Sequence, residues 1–244
     1  MDAFVKGKQS MTTFLLLHGG FHGAWCWRRV IEHLPARDVV HAPTFTGLAE
    51  RSHLDAPGIG LDVYVADVLN LIRWEELDDI VLVAHSFGGI VATAVADAVP
   101  ERIRSLIYLD AFIPQDGQSL EDLGWPPAEP GVTPVPPPPA AMFGLLGPDG
   151  EWVDRQLTPQ AARTATDKVV LTGAHEAVDR TYVFATGWGS LPHFLTNRDL
   201  ARASDDWRAY DVDGSHELMI DRPAEVAKIL VETAERTRGA RRVS

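Results

Sequence analysis

Cysteine is nearly absent: Cys26 is the single one in 244 residues, so no intramolecular disulfide can form and packing alone must hold the fold. A chain of this length buries roughly three quarters of the surface it would expose unfolded, so no staple is required. Basic residues are also scarce, 22 against 34 acidic ones for a net charge of -12. That balance excludes a nucleic-acid partner, because phosphate binding is driven by clustered Lys and Arg. The one basic run, Arg236–Arg242, reads as a solvated, frayed end. Long hydrophobic runs are missing too. Val63–Ile72 is broken by Asp67 and Asn70 and falls short of the roughly 20 residues a membrane helix needs, so no membrane partner is expected. Residues 1–10 lack the apolar core of a secretory signal, and Met11 directly precedes the first strand-like run. They read as a leader or extension, and a cytoplasmic location is the default expectation. No internal repeat is visible.

What is present is an alternation of short apolar runs and helical stripes. Phe14–Leu17, Val39–Val40, Ile80–Ala84, Ile103–Leu109, Thr181–Ala185 and Arg208–Val212 have the composition of strands, several of them apolar throughout. Between them Trp27, Val30, Ile31 and Leu34, then Leu61, Val65, Val68, Leu69 and Ile72, recur at helical spacing. Gly88–Val99 stops at Pro100, and Ala224–Glu235 is opened by Asp221 as N-cap and Pro223 in the first turn. Strands alternating with helices predict an α/β fold, a mostly parallel sheet covered on both faces. Residues 11–244 then form one domain. Residues 114–166 break the rhythm with Pro126, Pro127, Pro130, Pro134 and Pro136–Pro139. Such a stretch is neither helix nor central strand. Its apolar Trp125, Met142, Phe143 and Trp152 favour a small cap insertion over a plain linker.

The motif that carries chemistry lies between the third strand and its helix, Ala84-His85-Ser86-Phe87-Gly88-Gly89. It is a variant of the G-x-S-x-G nucleophile elbow, in which a sharp turn exposes the central serine and tolerates only small neighbours two positions away. Gly88 meets that demand, and Ala84 stands where glycine is usual. A lone serine is a weak nucleophile at neutral pH and needs an oriented imidazole. His216, in the loop after the last strand, is the candidate base. His85 adjoins the nucleophile but points away from it and reads as structural, while His33, His41, His53 and His175 have no supporting context. Backbone N–H groups of Phe87 and Gly20 are the candidate oxyanion hole.

With His18-Gly19-Gly20-Phe21-His22-Gly23-Ala24-Trp25-Cys26-Trp27, the elbow and Gly214-Ser215-His216 in order, the chain resembles the α/β-hydrolase superfamily over nearly its whole length. Within it the likeness is to the branch of plant methylesterases and hydroxynitrile lyases. The resemblance implies a small carboxylesterase that needs no cofactor and no metal, with an apolar pocket lined from among Phe21, Trp25, Trp125, Phe143 and Trp188. Lyases of that branch carry a lysine after the catalytic histidine and a threonine in the first loop; Glu217 and Gly20 occupy those positions here, so lyase activity is not expected.

The resemblance also exposes a departure. Relatives place an aspartate after the strand corresponding to Thr181–Ala185, whereas this loop reads Thr186-Gly187-Trp188-Gly189-Ser190. Some superfamily members put the acid one strand earlier, which makes Asp110 the substitute; Asp116, Asp205, Asp213 or an acid-free dyad are the alternatives. The expected function is a serine hydrolase that cleaves a small or medium carboxylic ester through an acyl-enzyme. Amide, lactone and thioester hydrolysis by the same triad, or a non-hydrolytic binding protein on the same fold, are the rivals. The partner is then a small-molecule ester, with a homodimer left open.

Overall fold

The computed structural model describes residues 11–129 and 131–241, so the leader or extension expected at residues 1–10 lies outside the described residues. Among the described residues six strands form one parallel sheet: β1 (Thr13–Leu17), β2 (Val39–His41), β3 (Ile80–His85), β4 (Ile103–Leu109), β5 (Asp179–Ala185) and β6 (Trp207–Val212), in spatial order β2-β1-β3-β4-β5-β6. The chain enters the sheet one strand in from an edge, runs to that edge at β2, then crosses back past β1 and proceeds in order to β6. That reversal puts β1 beside β3, and loops leaving their carboxyl ends flank a crevice of the kind open α/β sheets use for ligands.

The central strands are mostly apolar and buried because both faces of the sheet are covered. On one face Leu15, Leu17, Leu82, Ala84, Leu106 and Tyr108 pack with α2 (Leu61–Trp74), α3 (Gly88–Ala98) and α6 (Pro192–Ala203). The alternate residues Phe14, Leu16, Val81, Val83, Ile107 and Leu109 pack on the other face with α1 (Arg28–His33), α7 (Leu218–Asp221) and α8 (Pro223–Arg241). The period of two along each strand thus divides one hydrophobic chain between two cores.

Two terminal expectations change. Asp221 does not cap the last helix; it ends α7, and its Oδ2 instead accepts the Ser215 N–H at 2.9 Å, bracing the loop that carries His216. Nor do two of the basic residues expected to fray, Arg236 and Arg238, lie free in solvent, while Arg242 falls outside the described residues. Arg236 lies in α8 and makes a two-pronged pair with Asp179 at 2.7 and 2.8 Å, and Arg238 donates to Thr12 Oγ1 at 2.7 Å.

Between β4 and β5 the chain forms a 3-10 turn (Ala140–Phe143), then α4 (Gly147–Gln156) and the short α5 (Arg163–Thr166). An antiparallel bridge between Val135 and Gln160 closes its proline-rich limb. Among the described residues no helix is long and apolar enough to cross a membrane.

Candidate active site

β3, buried along its whole length, delivers the chain into a turn at Ser86, whose φ of +52° lies in the left-handed region. Non-glycine residues rarely adopt that conformation, and it persists only where neighbours over-determine it. Here the Ser86 carbonyl accepts the N–H groups of Gly89 at 3.0 Å and Phe112 at 3.1 Å, and the Ser86 N–H donates to Leu109 O at 3.3 Å. The elbow is therefore bolted to the end of β4. Glycine is required at position 88, since a Cβ there would sit 2.5 Å from the His18 carbonyl oxygen. The extra methyl of Ala84 is simply buried in the core.

His216 follows β6 and is 3% exposed. Its Nδ1 lies 2.7 Å from Oδ2 of Asp110, which is wholly buried at the end of β4. A carboxylate can only accept, so Nδ1 carries the proton and Nε2 presents its lone pair. Asp110 itself has φ +43° and is held through its N–H to Val183 O at 2.7 Å. Two further donors orient its carboxylate: Ala185 N–H on Oδ1 at 3.2 Å and the Trp188 indole N–H on Oδ2 at 3.0 Å. The imidazole is boxed by Phe194, stacked at 5.5 Å, with Trp188 at 4.8 Å and Phe143 at 5.2 Å.

Ser86, Phe87, Gly20, Phe21, His216 and Phe143 share one cavity with about 660 Å³ of empty space, part of it open to solvent. Trp125 lines it as well, together with Leu157, Gln160 and Thr164 from the stretch between β4 and β5. Two of the five aromatic residues expected at the pocket lie elsewhere. Trp188 is turned to Asp110 as described. Trp25 stacks on His22 at 5.2 Å and meets Trp152 edge-on at 5.1 Å, beneath the cavity floor of which it is not a part. Their size and apolarity mark residues that pack, here partly buried, but not the side of the wall they occupy.

Gly20 sits against the elbow: a Cβ there would be 3.7 Å from Phe87 Cβ and 3.3 Å from Gln160 Oε1. The direction of the Gly20 N–H is set by His18. Nε2 of His18 accepts the Phe45 N–H at 3.1 Å, so Nδ1 holds the proton and donates to Gly19 O at 2.8 Å. That carbonyl and the Gly20 N–H belong to one peptide plane. Burial lowers the His18 pKa to about 3, which keeps the ring neutral in this role. Phe21, at φ +66°, donates its N–H to Gln160 Oε1 at 2.7 Å, and Gln160 Nε2 donates to Thr164 Oγ1 at 2.7 Å. This second brace was invisible in sequence, since nothing local marks Gln160 as reaching across 139 residues.

Behind the imidazole lies a buried group that sequence reasoning gave no role. His22 Nδ1 donates to Gly20 O at 2.6 Å and its Nε2 faces Glu217 Oε2 at 3.1 Å. Burial opposes charge on His22, but the Glu217 carboxylate outweighs it and raises the pKa above the ordinary histidine value. Glu217 in turn is penalised by burial and yet held at about 2 by His22 and its neighbours. His85, expected to be structural, lines the cavity and braces the loop that carries His216. Its Nε2–H donates to the His216 carbonyl at 3.0 Å, and burial drives its pKa well down. His175, which had no assigned context, pairs with Asp97 at 2.9 Å, and neither residue lines the cavity. Among the described residues no cluster of His, Cys, Asp and Glu could hold a metal ion.

The model of the alpha/beta hydrolase family matches residues 14–229. The chain belongs to that family. Carbendazim hydrolyzing esterase of Nocardioides sp. (strain SG-4G) is 37% identical over 239 residues, covering 90% of this chain and 98% of the relative. Methylesterase 4 of Arabidopsis thaliana is 38% identical over 118 residues, 44% of this chain and 42% of that protein. An extracellular alpha/beta-hydrolase from a Paenibacillus species, described as sharing homology with Tobacco Salicylic Acid Binding Protein 2, superposes with a TM-score of 0.77 at 23% identity, over 91% of this chain and 98% of that one, and so shares the fold.

Proposed function

We propose that Ser86, His216 and Asp110 form the catalytic triad of this enzyme, with Gly20 and Phe87 as its oxyanion hole. The protein is a carboxylic ester hydrolase, the activity for which its relatives are named. The observation that carries the site assignment is the 2.7 Å contact between His216 Nδ1 and a fully buried Asp110, at the edge of the cavity that Ser86 and His216 share. With Asp110 in that position, the loop after β5 needs no carboxylate, and its lack is no ground for reading the chain as an inactive binder.

In this mechanism Ser86 Oγ attacks the ester carbonyl as its proton passes to His216 Nε2, and the Gly20 and Phe87 N–H groups receive the oxyanion. Collapse expels the alcohol, which takes the proton from His216. Water then repeats the sequence on the acyl-enzyme and releases the acid. Residues 114–166 act as the cap, supplying apolar walls around a substrate of small or medium size. The test is acyl transfer from a p-nitrophenyl ester series and labelling by a phosphonate, in wild type and Ser86→Ala. Labelling confined to the wild type is expected; labelling that survives the substitution refutes the nucleophile.

A further inference from the structure

The loop that carries the Gly20 N–H is strained. His22 N–H donates to Gly19 O at 3.4 Å, so Gly19–His22 is a hydrogen-bonded turn, and of its two central residues Phe21 alone has a positive φ, +66°. A positive φ at the third position belongs to the type II turn, which favours glycine or asparagine there. Phenylalanine fits the type I turn, reached by rotating the one peptide between the central residues. That Gly20–Phe21 peptide is held in the costlier arrangement from both sides. Gln160 Oε1 accepts the Phe21 N–H at 2.7 Å, and His22 Nδ1 donates to the Gly20 carbonyl at 2.6 Å.

Both nitrogens of the His22 ring face acceptors. A carbonyl can only accept, so Nδ1 is protonated. Nε2 lies 3.1 Å from Glu217 Oε2, and although the two are not aligned as a hydrogen bond, an unprotonated Nε2 would set a lone pair beside an ionised carboxylate. The ring is 4% exposed and stacks on Trp25 at 5.2 Å, an aromatic face that favours a cation. The other histidines near it, His85 edge-on at 5.8 Å and His18, are kept neutral by burial.

We propose that His22 is a positioning residue of the oxyanion hole: with a proton on each ring nitrogen, it ties the Gly20 carbonyl to Glu217 and keeps the turn from flipping. The inference rests on the triad and oxyanion hole proposed above. In a trans peptide the carbonyl and the N–H point to opposite sides, so a flip would bring the Gly20 oxygen round to the side of Gln160, which lines the cavity. The residue whose N–H receives the oxyanion would then present a lone pair there too. The two histidines of the His18-Gly19-Gly20-Phe21-His22 string thus divide the work, His18 fixing the peptide before Gly20 and His22 the one after it.

The experiment measures kcat and KM for a p-nitrophenyl ester, and the inhibition constant of a trifluoromethyl ketone, whose adduct with Ser86 carries the oxyanion. His22→Leu and His22→Asn are made together with Glu217→Gln, so that no buried carboxylate loses its partner, and each is compared with Glu217→Gln alone. Asparagine keeps a donor at the place of Nδ1; leucine does not. Outright loss of an oxyanion donor costs about 10²- to 10³-fold in kcat, so displacing one through His22→Leu should cost about ten- to a hundredfold, with KM within about threefold and the ketone weakened in step. His22→Asn should recover all but about threefold of that loss. Phe21→Gly removes the strain, and in its background the kcat loss from His22→Leu should shrink below about threefold. A folded His22→Leu with less than about threefold loss in kcat, a ketone affinity that does not follow kcat, or a His22→Asn no better than His22→Leu overturns the proposal. If His22→Leu does not fold, the ¹⁵N resonances of the wild-type His22 ring at neutral pH decide: two protonated nitrogens support the clamp, and one overturns it. Wild type that turns over no ester refutes the hydrolase reading itself, and the same resonances then test the clamp alone.

Discussion

Replacing Asp110 by Asn tests the least conventional part of the site. The aspartate accepts three donors: His216 Nδ1 at 2.7 Å and Trp188 Nε1 at 3.0 Å on Oδ2, and Ala185 N at 3.2 Å on Oδ1. An asparagine can satisfy only one side. With its oxygen toward Ala185, its NH₂ faces both the indole N–H and the imidazole, so His216 must accept at Nδ1 and carry its proton on Nε2, where it cannot take one from Ser86. With its oxygen toward His216, the NH₂ opposes the Ala185 N–H in a site from which water is excluded, at about 1–3 kcal/mol. The first arrangement is the wrong-tautomer state that costs a serine protease about 10⁴ in kcat, or ~5.4 kcal/mol. The second loses the charge that stabilises the imidazolium. We expect kcat/KM for a p-nitrophenyl ester to fall about 10²- to 10⁴-fold, bracketed by these two arrangements. The assay needs a thermal melt alongside it, to show that the variant is folded. A folded variant with less than about a tenfold loss means that Asp110 does not orient the base.

Trp188→Phe keeps the ring against His216 but removes one donor from Asp110. A hydrogen bond to a buried charge is worth roughly 1.5–3 kcal/mol, so we expect kcat to drop about tenfold with little change in KM. An effect on KM alone would return Trp188 to the substrate pocket. Acid should destabilise the fold through His18. Its pKa is lowered by burial to about 3 in the folded state against 6.5 unfolded, so the unfolded chain binds the extra proton and stability falls as pH drops from about 6.5 to 3. Urea melts between pH 6 and 4 should show a slope that His18→Asn reduces by about 1.4 kcal/mol per pH unit; an unchanged slope would mean the ring is not held neutral. Gly88→Ala would drive a methyl against the His18 carbonyl at 2.5 Å. It should cost both activity and several degrees of melting temperature, and a variant of normal stability would show that the elbow can open.

How much of this was legible in the sequence depended on whether a signal was local. β1, β3 and the Leu106–Leu109 part of β4 were readable because burial on both faces leaves continuous apolar runs, and the elbow because the turn imposes small residues at fixed offsets. Helix α6 passed unseen for the opposite reason. Its buried positions are Phe194, Asn197 and Ala201, whereas the large apolar Leu195 and Leu200 are 38% and 64% exposed. The stripe that meets the core therefore includes an asparagine, bonded to Ala111 O at 3.3 Å, and the hydrophobic period is lost. Gln160 and Trp188 act across 139 and 78 residues of sequence, where no spacing rule applies.

The displaced acid follows from how closely the loops pack. After β5 the chain runs directly against the loop that carries His216: Gly187 N–H donates to Gly214 O at 2.8 Å, and a Cβ on Gly187 would lie 2.6 Å from that same oxygen. That contact aims the following residue, Trp188, across the imidazole toward β4, so this loop delivers a donor where relatives would have an acceptor. A carboxylate must then come from the other side of the ring. The end of β4 lies next to β5 in the sheet, and the φ of +43° at Asp110 turns its side chain up to His216 while its backbone stays paired to Val183. The tryptophan and the aspartate are thus two halves of one arrangement. The indole N–H also gives the wholly buried carboxylate one of the hydrogen-bond partners that offset its removal from solvent. A substitution at either position should therefore be felt at the other, and the losses of Asp110→Asn and Trp188→Phe should combine to less than their product, because once the carboxylate is gone the indole has no charge left to hold.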